Sequence, residues 1–380
     1  LHKEYRRQRQ MCIRDSVRIR ALREHFGSAL KALHASEKHL RALPNIGTEI
    51  AQAIRHASTT KDWQHELHLI EKGNAWILDD SSSLYPPLLK EIPNAPILLE
   101  VRGTILESDR HAVAIVGSRH TTPYGMEYAK RFAADLAAAG YTIVSGLARG
   151  IDTAAHEGAL EAGGRTIAVI GSGIGNLYPP ENRDLADRIT ESGAVASEFP
   201  MRFPPNPQTF PYRNRIVAGW GSGILVVEAG LKSGAIITAN LAVEQNRQVF
   251  AIPGMINRPS SAGTHHLIQQ GAKLVTCLND ILEELQELFP KLPASSAPSQ
   301  KSFTSNPAPS VPSPPPIPLS PDEESIIQIL QQEELPIDII IEKAQLPASR
   351  VGSLLCGLEL KGCIRNLPGH LYQINSSARR

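Results

Sequence analysis

"AVAIVGSRHTTPYGMEYAKRFAADLAAAGYTIVSG", residues 112–146, decides the fold. Positions 112–116 are apolar without a break and end in Gly117-Ser118-Arg119. A helical run follows, and a second apolar run then ends in Ser145-Gly146. A strand that is apolar at every position is buried on both faces, as in a parallel sheet; a half-exposed strand alternates. Working outward, "TIAVIG", "AVASE", "GILVVEA" and "QVFAIPG" repeat the pattern, separated by "DTAAHEGALEAG", "NRDLADRITESG" and "AIITANLAVEQN". The reading is α/β, a Rossmann-like doubly wound parallel sheet over residues 112–290, with ligands expected at the carboxyl ends of its strands.

Residues 17–70 read as a small helical domain. Within it Leu43-Pro44-Asn45-Ile46-Gly47 has the form of a helix-hairpin-helix turn, with Asn45 tolerating left-handed geometry. Such a turn serves either DNA phosphate contact or simple helix packing. Residues 71–111 read as a connecting segment leading into the core. Residues 291–321 are dominated by Pro and Ser, a linker that cannot bury a core. Residues 322–376 read as three helices and a hairpin with its turn near Pro368-Gly369, a winged helix. Eight acids against four bases give that module a net charge of −4, so protein contact or regulation is expected there rather than DNA docking. Residues 1–16, "LHKEYRRQRQMCIRDS", show no helical or strand period, and "MCIRDS" also reads from a sequencing-library adapter. They are expected to be non-native or disordered, and are set aside.

The 380 residues carry 42% hydrophobic and 20% charged side chains, an ordinary globular balance, with a formal net charge of +1. No global basic field exists, so any anion site must be a local cluster. Cys12, Cys277, Cys356 and Cys363 form no Cys-x-x-Cys pair, which points away from a zinc site or a disulfide framework and toward a reducing cytoplasm. No apolar run approaches the ~18 residues of a membrane span, and no signal peptide is visible.

Five strand ends or their neighbours carry anion-friendly residues: Gly117-Ser118-Arg119; Gly146 with Arg149-Gly150; Asn182-Arg183 after "GSGIG"; Arg213-Asn214-Arg215 before the strand at 223; and Lys232-Ser233-Gly234 after it. Small residues let backbone amides approach an anion, and helix starts add partial positive charge. Residues 112–280 hold 14 bases and 13 acids, so convergence of six cations on one sheet edge, not total charge, would make the patch basic. Six suit a run of phosphates better than one nucleotide. Each element also has a plainer role: tight turns for Gly117 and Gly146, a helix cap or arginine partner for Asp152, ion pairs for Arg213 and Arg215. Tyr178 and Phe210 are either core aromatics or stacking platforms for bases. His156 lies in an apolar helix pattern and reads as packed. Glu198 and Glu228 are read as partners for nearby arginines rather than an acid/base pair. No Walker, H-E-x-x-H or G-x-S-x-G motif is present.

"AIVGSR", "SGLARGIDTAAHEGAL", "YPPEN", "FPYRNRIVAG", "VVEAGLKSGAIITANLA" and "GTHHLIQQGAKLV" resemble the bacterial DNA-processing protein A family, from about Val17 to the carboxyl terminus. That resemblance implies a SAM-like helical domain, a Rossmann-like core and a winged helix. It implies a non-catalytic, cytoplasmic, dimeric protein without cofactor or metal. Such a protein binds incoming single-stranded DNA in natural transformation and loads the recombinase RecA past single-strand-binding protein. Family DNA contacts map onto Gly117, Ser118 and Arg119. Many members place a DNA-binding Lys after the Tyr-Pro pair; here Pro180 stands there, and Arg183 is the expected substitute. The family's dimer segment puts His265, Ile268 and Leu274 at the interface, with the RecA-facing surface near Gln269 and Val243. Two other readings compete, a nucleotide phosphoribohydrolase and a small-nucleotide sensor on a related sheet.

Overall fold

The computed structural model describes residues 18–57, 62–288, 320–330, 335–367 and 371–374. Residues 1–16, most of the Pro/Ser-rich linker and the Pro368-Gly369 turn lie outside them. The chain divides into two compact units, residues 1–294 and 295–380.

The first unit is built on a nine-stranded sheet of order β1-β2-β6-β5-β4-β3-β7-β8-β9. Seven strands run parallel: β3 (Ala112–Val116), β4 (Thr142–Ser145), β5 (Thr166–Ile170), β6 (Ala194–Ser197), β7 (Gly223–Val226), β8 (Gln248–Ala251) and β9 (Lys273–Leu274). Every residue of β3 is buried because its faces feed two different cores. Ala112, Ala114 and Val116 pack on one side with Trp220 and Ala239. Val113 and Ile115 pack on the other with Phe132, Ile151 and Phe250. That is the physical origin of the unbroken apolar run.

One expectation is corrected. Residues 71–111 are more than a connection, because β1 (Ala75–Asp79) and β2 (Leu98–Gly103) extend the sheet beyond β6 as an antiparallel pair. The sheet is therefore mixed. Trp76 fastens the edge by donating its indole N–H to the carbonyl of Gly103 at 2.9 Å.

Among the described residues five helices precede β1: 18–26, Ala29–His34, Glu37–Arg41, Thr48–Ala57 and Asp62–Lys72. Leu22, Ala32, Leu40, Ile46 and Ala51 form a small core of the first four, while Ile70 of the fifth packs with the sheet residues Ala168 and Val195. Asn45 adopts φ +64°, the left-handed geometry that its short polar side chain tolerates. The Arg23 guanidinium meets Asp80 at 2.6 Å, and Arg20 donates to the carbonyl of Ala95 at 3.1 Å, tying these helices to the edge of the sheet.

The second unit has its own core of Ile326, Ile340, Val351, Leu355, Leu358 and Ile364. Three helices (Pro321–Leu330, Ile337–Ala344, Ala348–Leu360) pack with β11 (Ile364–Leu367) and β12 (Leu371–Ile374). A short strand, β10 (Leu335–Pro336), completes the order β10-β12-β11 and has no signature in the apolar pattern. This is a winged helix. Two of its few cations are held internally: Arg350 by Asp322 at 2.5 Å, and Lys361 by Glu323 at 2.7 Å.

Candidate functional site

From β3 the chain winds outward through β4, β5 and β6, then crosses back to β7 on β3's other side. The loops leaving β3 and β7 therefore diverge, and a crevice must open at their carboxyl ends. A cleft of about 780 Å³ occupies that point. Its walls are Gly117–Arg119 after β3, Gly230 and Lys232–Ala235 after β7, Tyr178 after β5, and Phe210, Arg213 and Asn214 of the helix Thr209–Trp220.

The β3 loop is rigidly set. The Ser118 amide donates to the carbonyl of Glu228 at 2.7 Å, joining the loops after β3 and β7. The Ser118 hydroxyl donates to the carbonyl of His120 at 2.7 Å. The Ile151 amide donates back to the carbonyl of Ser118 at 3.2 Å. Gly150 stands between them at φ +77°, where a Cβ would sit 2.4 Å from the Ser118 oxygen, so only glycine fits. Arg119 is left exposed, its guanidinium 5.0 Å from the centre of the Phe210 ring. Phe210 and Tyr178 lie 5.9 Å apart, and Arg149 lies 5.8 Å from the Tyr178 ring. Two cation–aromatic pairs thus stand side by side, offering flat faces beside fixed positive charge.

Arg213 forms the floor. It is 4% exposed and donates from Nη1 to the carbonyl of Val169 at 3.0 Å. Gly146 is what admits it, since a Cβ there would fall 1.4 Å from Nη1. Burial pushes the Arg213 pKa down to about 10, helped by the like charge of Arg119 and opposed by Asp152, so the side chain stays cationic at neutral pH. Asp152 accepts from the amides of Gly146 at 3.1 Å and Ala148 at 3.3 Å, binding the loop after β4 to the helix Ile151–Glu161. On the far wall Ser233 caps the helix Gly234–Glu244 by accepting from the Ala235 amide at 3.3 Å. That helix start, with the exposed Lys232 beside it, directs partial and full positive charge into the cleft.

The six cations do not all converge. Arg119, Arg213 and Lys232 line the main cleft, and Arg149 lines a recess shared with Arg119, Tyr178, Phe210 and Arg213. Arg215, two residues on from Arg213, is carried to another face of the helix. It pairs with Glu198 at 2.6 Å in a separate, largely apolar cleft that reaches Leu22 and Phe199. Arg183 is exposed at the start of the helix Arg183–Ser192 and lines neither the cleft nor the recess. Asn182 is buried, and its Nδ2 donates to the carbonyl of Leu147 and to Thr153 Oγ1, both at 2.9 Å. It holds Leu147 at φ +56°, a strained setting for a branched side chain, and its amide is spent inside the protein. Gly146 makes room for Arg213 rather than for an anion. Glu228 accepts from Thr121 Oγ1 at 2.5 Å and from the Thr122 amide at 2.9 Å, not from an arginine; Glu198 does hold one.

Among the described residues no group of three His, Cys, Asp or Glu side chains could hold a metal ion. His156 is fully buried, with Nδ1 2.7 Å from Thr166 Oγ1. The apolar side of the cleft, with Pro205, Pro207, Pro211 and Ile237, was not legible as a site; the density of proline in "FPPNPQTFP" was its one sequence signal. Of the residues expected at a dimer contact, Leu274 is 43% exposed; of those expected on a RecA-facing surface, Val243 is 61% exposed and Gln269 is exposed. Ile268 packs partly against the core, and His265 hydrogen-bonds the backbone of Gly254.

Residues 76–286 match the family profile of DNA recombination-mediator protein A, and residues 309–370 that of the DprA winged helix domain. Protein Smf of Escherichia coli K12 is 40% identical over 346 residues, covering 88% of each chain. The DNA processing protein DprA of Streptococcus pneumoniae is 47% identical over 210 residues, 55% of this chain and 73% of that one. A crystal structure of DprA from Streptococcus pneumoniae superposes with a TM-score of 0.63 at 37% identity, covering 70% of this chain and 92% of that one. A structure of DprA from Helicobacter pylori, described for its single-stranded DNA binding mode, gives 0.51 at 29% identity, covering 56% and 96%.

Proposed function

The chain belongs to the DNA recombination-mediator protein A family, and from that premise we propose that its switch-point cleft grips single-stranded DNA without performing chemistry on it. The observation that carries this is the joint presence, in one cleft, of an exposed Arg119, a buried cationic Arg213, Lys232 beside a helix start, and two aromatic rings. Fixed cations suit a phosphate backbone, and aromatic faces accept any base. The Helicobacter pylori relative is described as a single-stranded DNA binder. Glu198 and Glu228 follow β6 and β7, four strand positions apart, or about 19 Å at the spacing of a sheet. No acid/base pair spans that distance.

The wider role we infer is that of a cytoplasmic dimer that protects incoming DNA in transformation and loads RecA past single-strand-binding protein. The exposed Leu274 supports a dimer contact with His265 and Ile268, and the exposed Val243 and Gln269 support a neighbouring RecA-facing surface. The winged helix is assigned to protein contact, since Arg350, the base on its third helix before Lys361, is neutralised by Asp322.

Fluorescence anisotropy with a strand of about 20 nucleotides tests the reading. Arg119→Ala should weaken binding to every sequence and make the slope of log K against log salt shallower by about 0.7. Equal affinity of wild type and variant would refute the assignment. Tighter binding of a mononucleotide than of the strand would favour a small-nucleotide sensor instead.

A further inference from the structure

We propose that Glu181 is a displaceable counterion that controls engagement of Arg149 and so sets the affinity of the strand-binding surface for a long strand. The proposal rests on the single-strand reading above. The two cation–aromatic pairs, Arg119 on Phe210 and Arg149 on Tyr178, are alike in geometry. They differ at the guanidinium. Among the described residues no carboxylate forms an ion pair with Arg119, whereas Arg149 donates from Nε to Glu181 Oε1. A carboxylate on that edge takes the donors a phosphate would use.

The placement of Glu181 is built in. It lies in the single turn Pro180–Asn182, and Asn182 on its carboxyl side is bonded to the carbonyl of Leu147 in Arg149's own loop. Two loops from adjacent strands, β4 and β5, are thereby stapled with the carboxylate facing the guanidinium. The side chains are 48% and 47% exposed, so the pair is weak and yields to a polyanion. An anion that reaches only Arg119 leaves it closed. A strand that runs on from the end of β3 to that of β4 must displace Glu181 to gain Arg149. Glu181 thus lowers affinity for a strand long enough to reach Arg149 and leaves binding of an anion confined to Arg119 unchanged.

The test uses the full chain and a fluorescent oligothymidylate of about 20 nucleotides over a range of salt. Glu181→Gln should tighten binding about two- to fivefold and steepen the slope of log K against log salt by about 0.7. Glu181→Ala should do the same. In an Arg149→Gln background neither substitution should matter. Unchanged affinity in Glu181→Gln, or an equal gain without Arg149, would overturn the proposal. Failure of the underlying reading looks different: wild type and Arg119→Ala would then bind the strand equally.

Discussion

At Gly146 a hydrogen atom in place of a methyl group decides whether the cleft has a floor. An alanine Cβ would collide with a buried guanidinium that has backbone on its other side, so relief requires moving either Arg213 or the loop after β4. Gly146→Ala is expected to destabilise the protein by about 1–3 kcal/mol and to weaken strand binding, read by urea denaturation and anisotropy. His156 makes a second prediction. Thr166 gives its hydroxyl proton to the carbonyl of Ile143, so it accepts from Nδ1–H and leaves the imidazole neutral with a buried, unpartnered Nε2. Burial and the nearby Arg213 push its pKa down to about 3. The unfolded chain, with a pKa near 6.5, therefore binds the proton first; stability is full above about pH 6.5 and falls as pH drops toward 3. Wild type should lose about 1.4 kcal/mol more than His156→Gln between pH 7.5 and 5.5. Equal losses would show that this imidazole is not held neutral.

Among the elements, the loop after β4 is where local preference and global fold disagree. Leu147 is fully buried at a positive φ that a leucine avoids, and Asn182, 35 residues on, holds its carbonyl. Asn182→Ala leaves that carbonyl without its side-chain donor and is expected to cost about 1–3 kcal/mol. It should also loosen the recess around Arg149. An unaltered melting temperature would remove Asn182 from this role. The pairing that creates the demand joins residues remote in sequence, so no local pattern announces it. The strands β3 to β7 were legible for the opposite reason, since every position is buried between the two faces of the sheet. β1 and β2, with mixed burial patterns at the antiparallel edge, carry a diluted version of that signal and were read as a connection.

At the scale of the whole molecule, charge is arranged by unit. The unit that carries the cleft brings Arg119, Arg149, Arg213 and Lys232 together at the strand ends, while residues 322–376 of the winged helix hold eight acids against four bases and pair Arg350 and Lys361 with two of those acids. Phosphate attraction supplies most sequence-independent affinity. Removal of residues 320–380 is accordingly expected to leave affinity for a short single strand within about twofold. A loss of tenfold or more would show that the acidic unit contributes directly to DNA contact.

The sequence by itself determined the α/β class, the parallel strands, the winged helix and the identity of the Gly-Ser-Arg loop, because periodicity and turn chemistry are local. It also placed anion-friendly residues at strand ends. Which of them share a cleft was decided by tertiary structure alone. Arg213 and Arg215 differ by two positions on one helix, about 200° of rotation, and so enter different clefts. Asn182 and Gly146 turned inward to serve backbone and guanidinium. Glu181, part of "YPPEN" but given no role by its spacing or charge, came to lie on Arg149. Charge and spacing nominate the members of a binding site, but the direction in which each side chain points is fixed only when strands distant in sequence pack side by side.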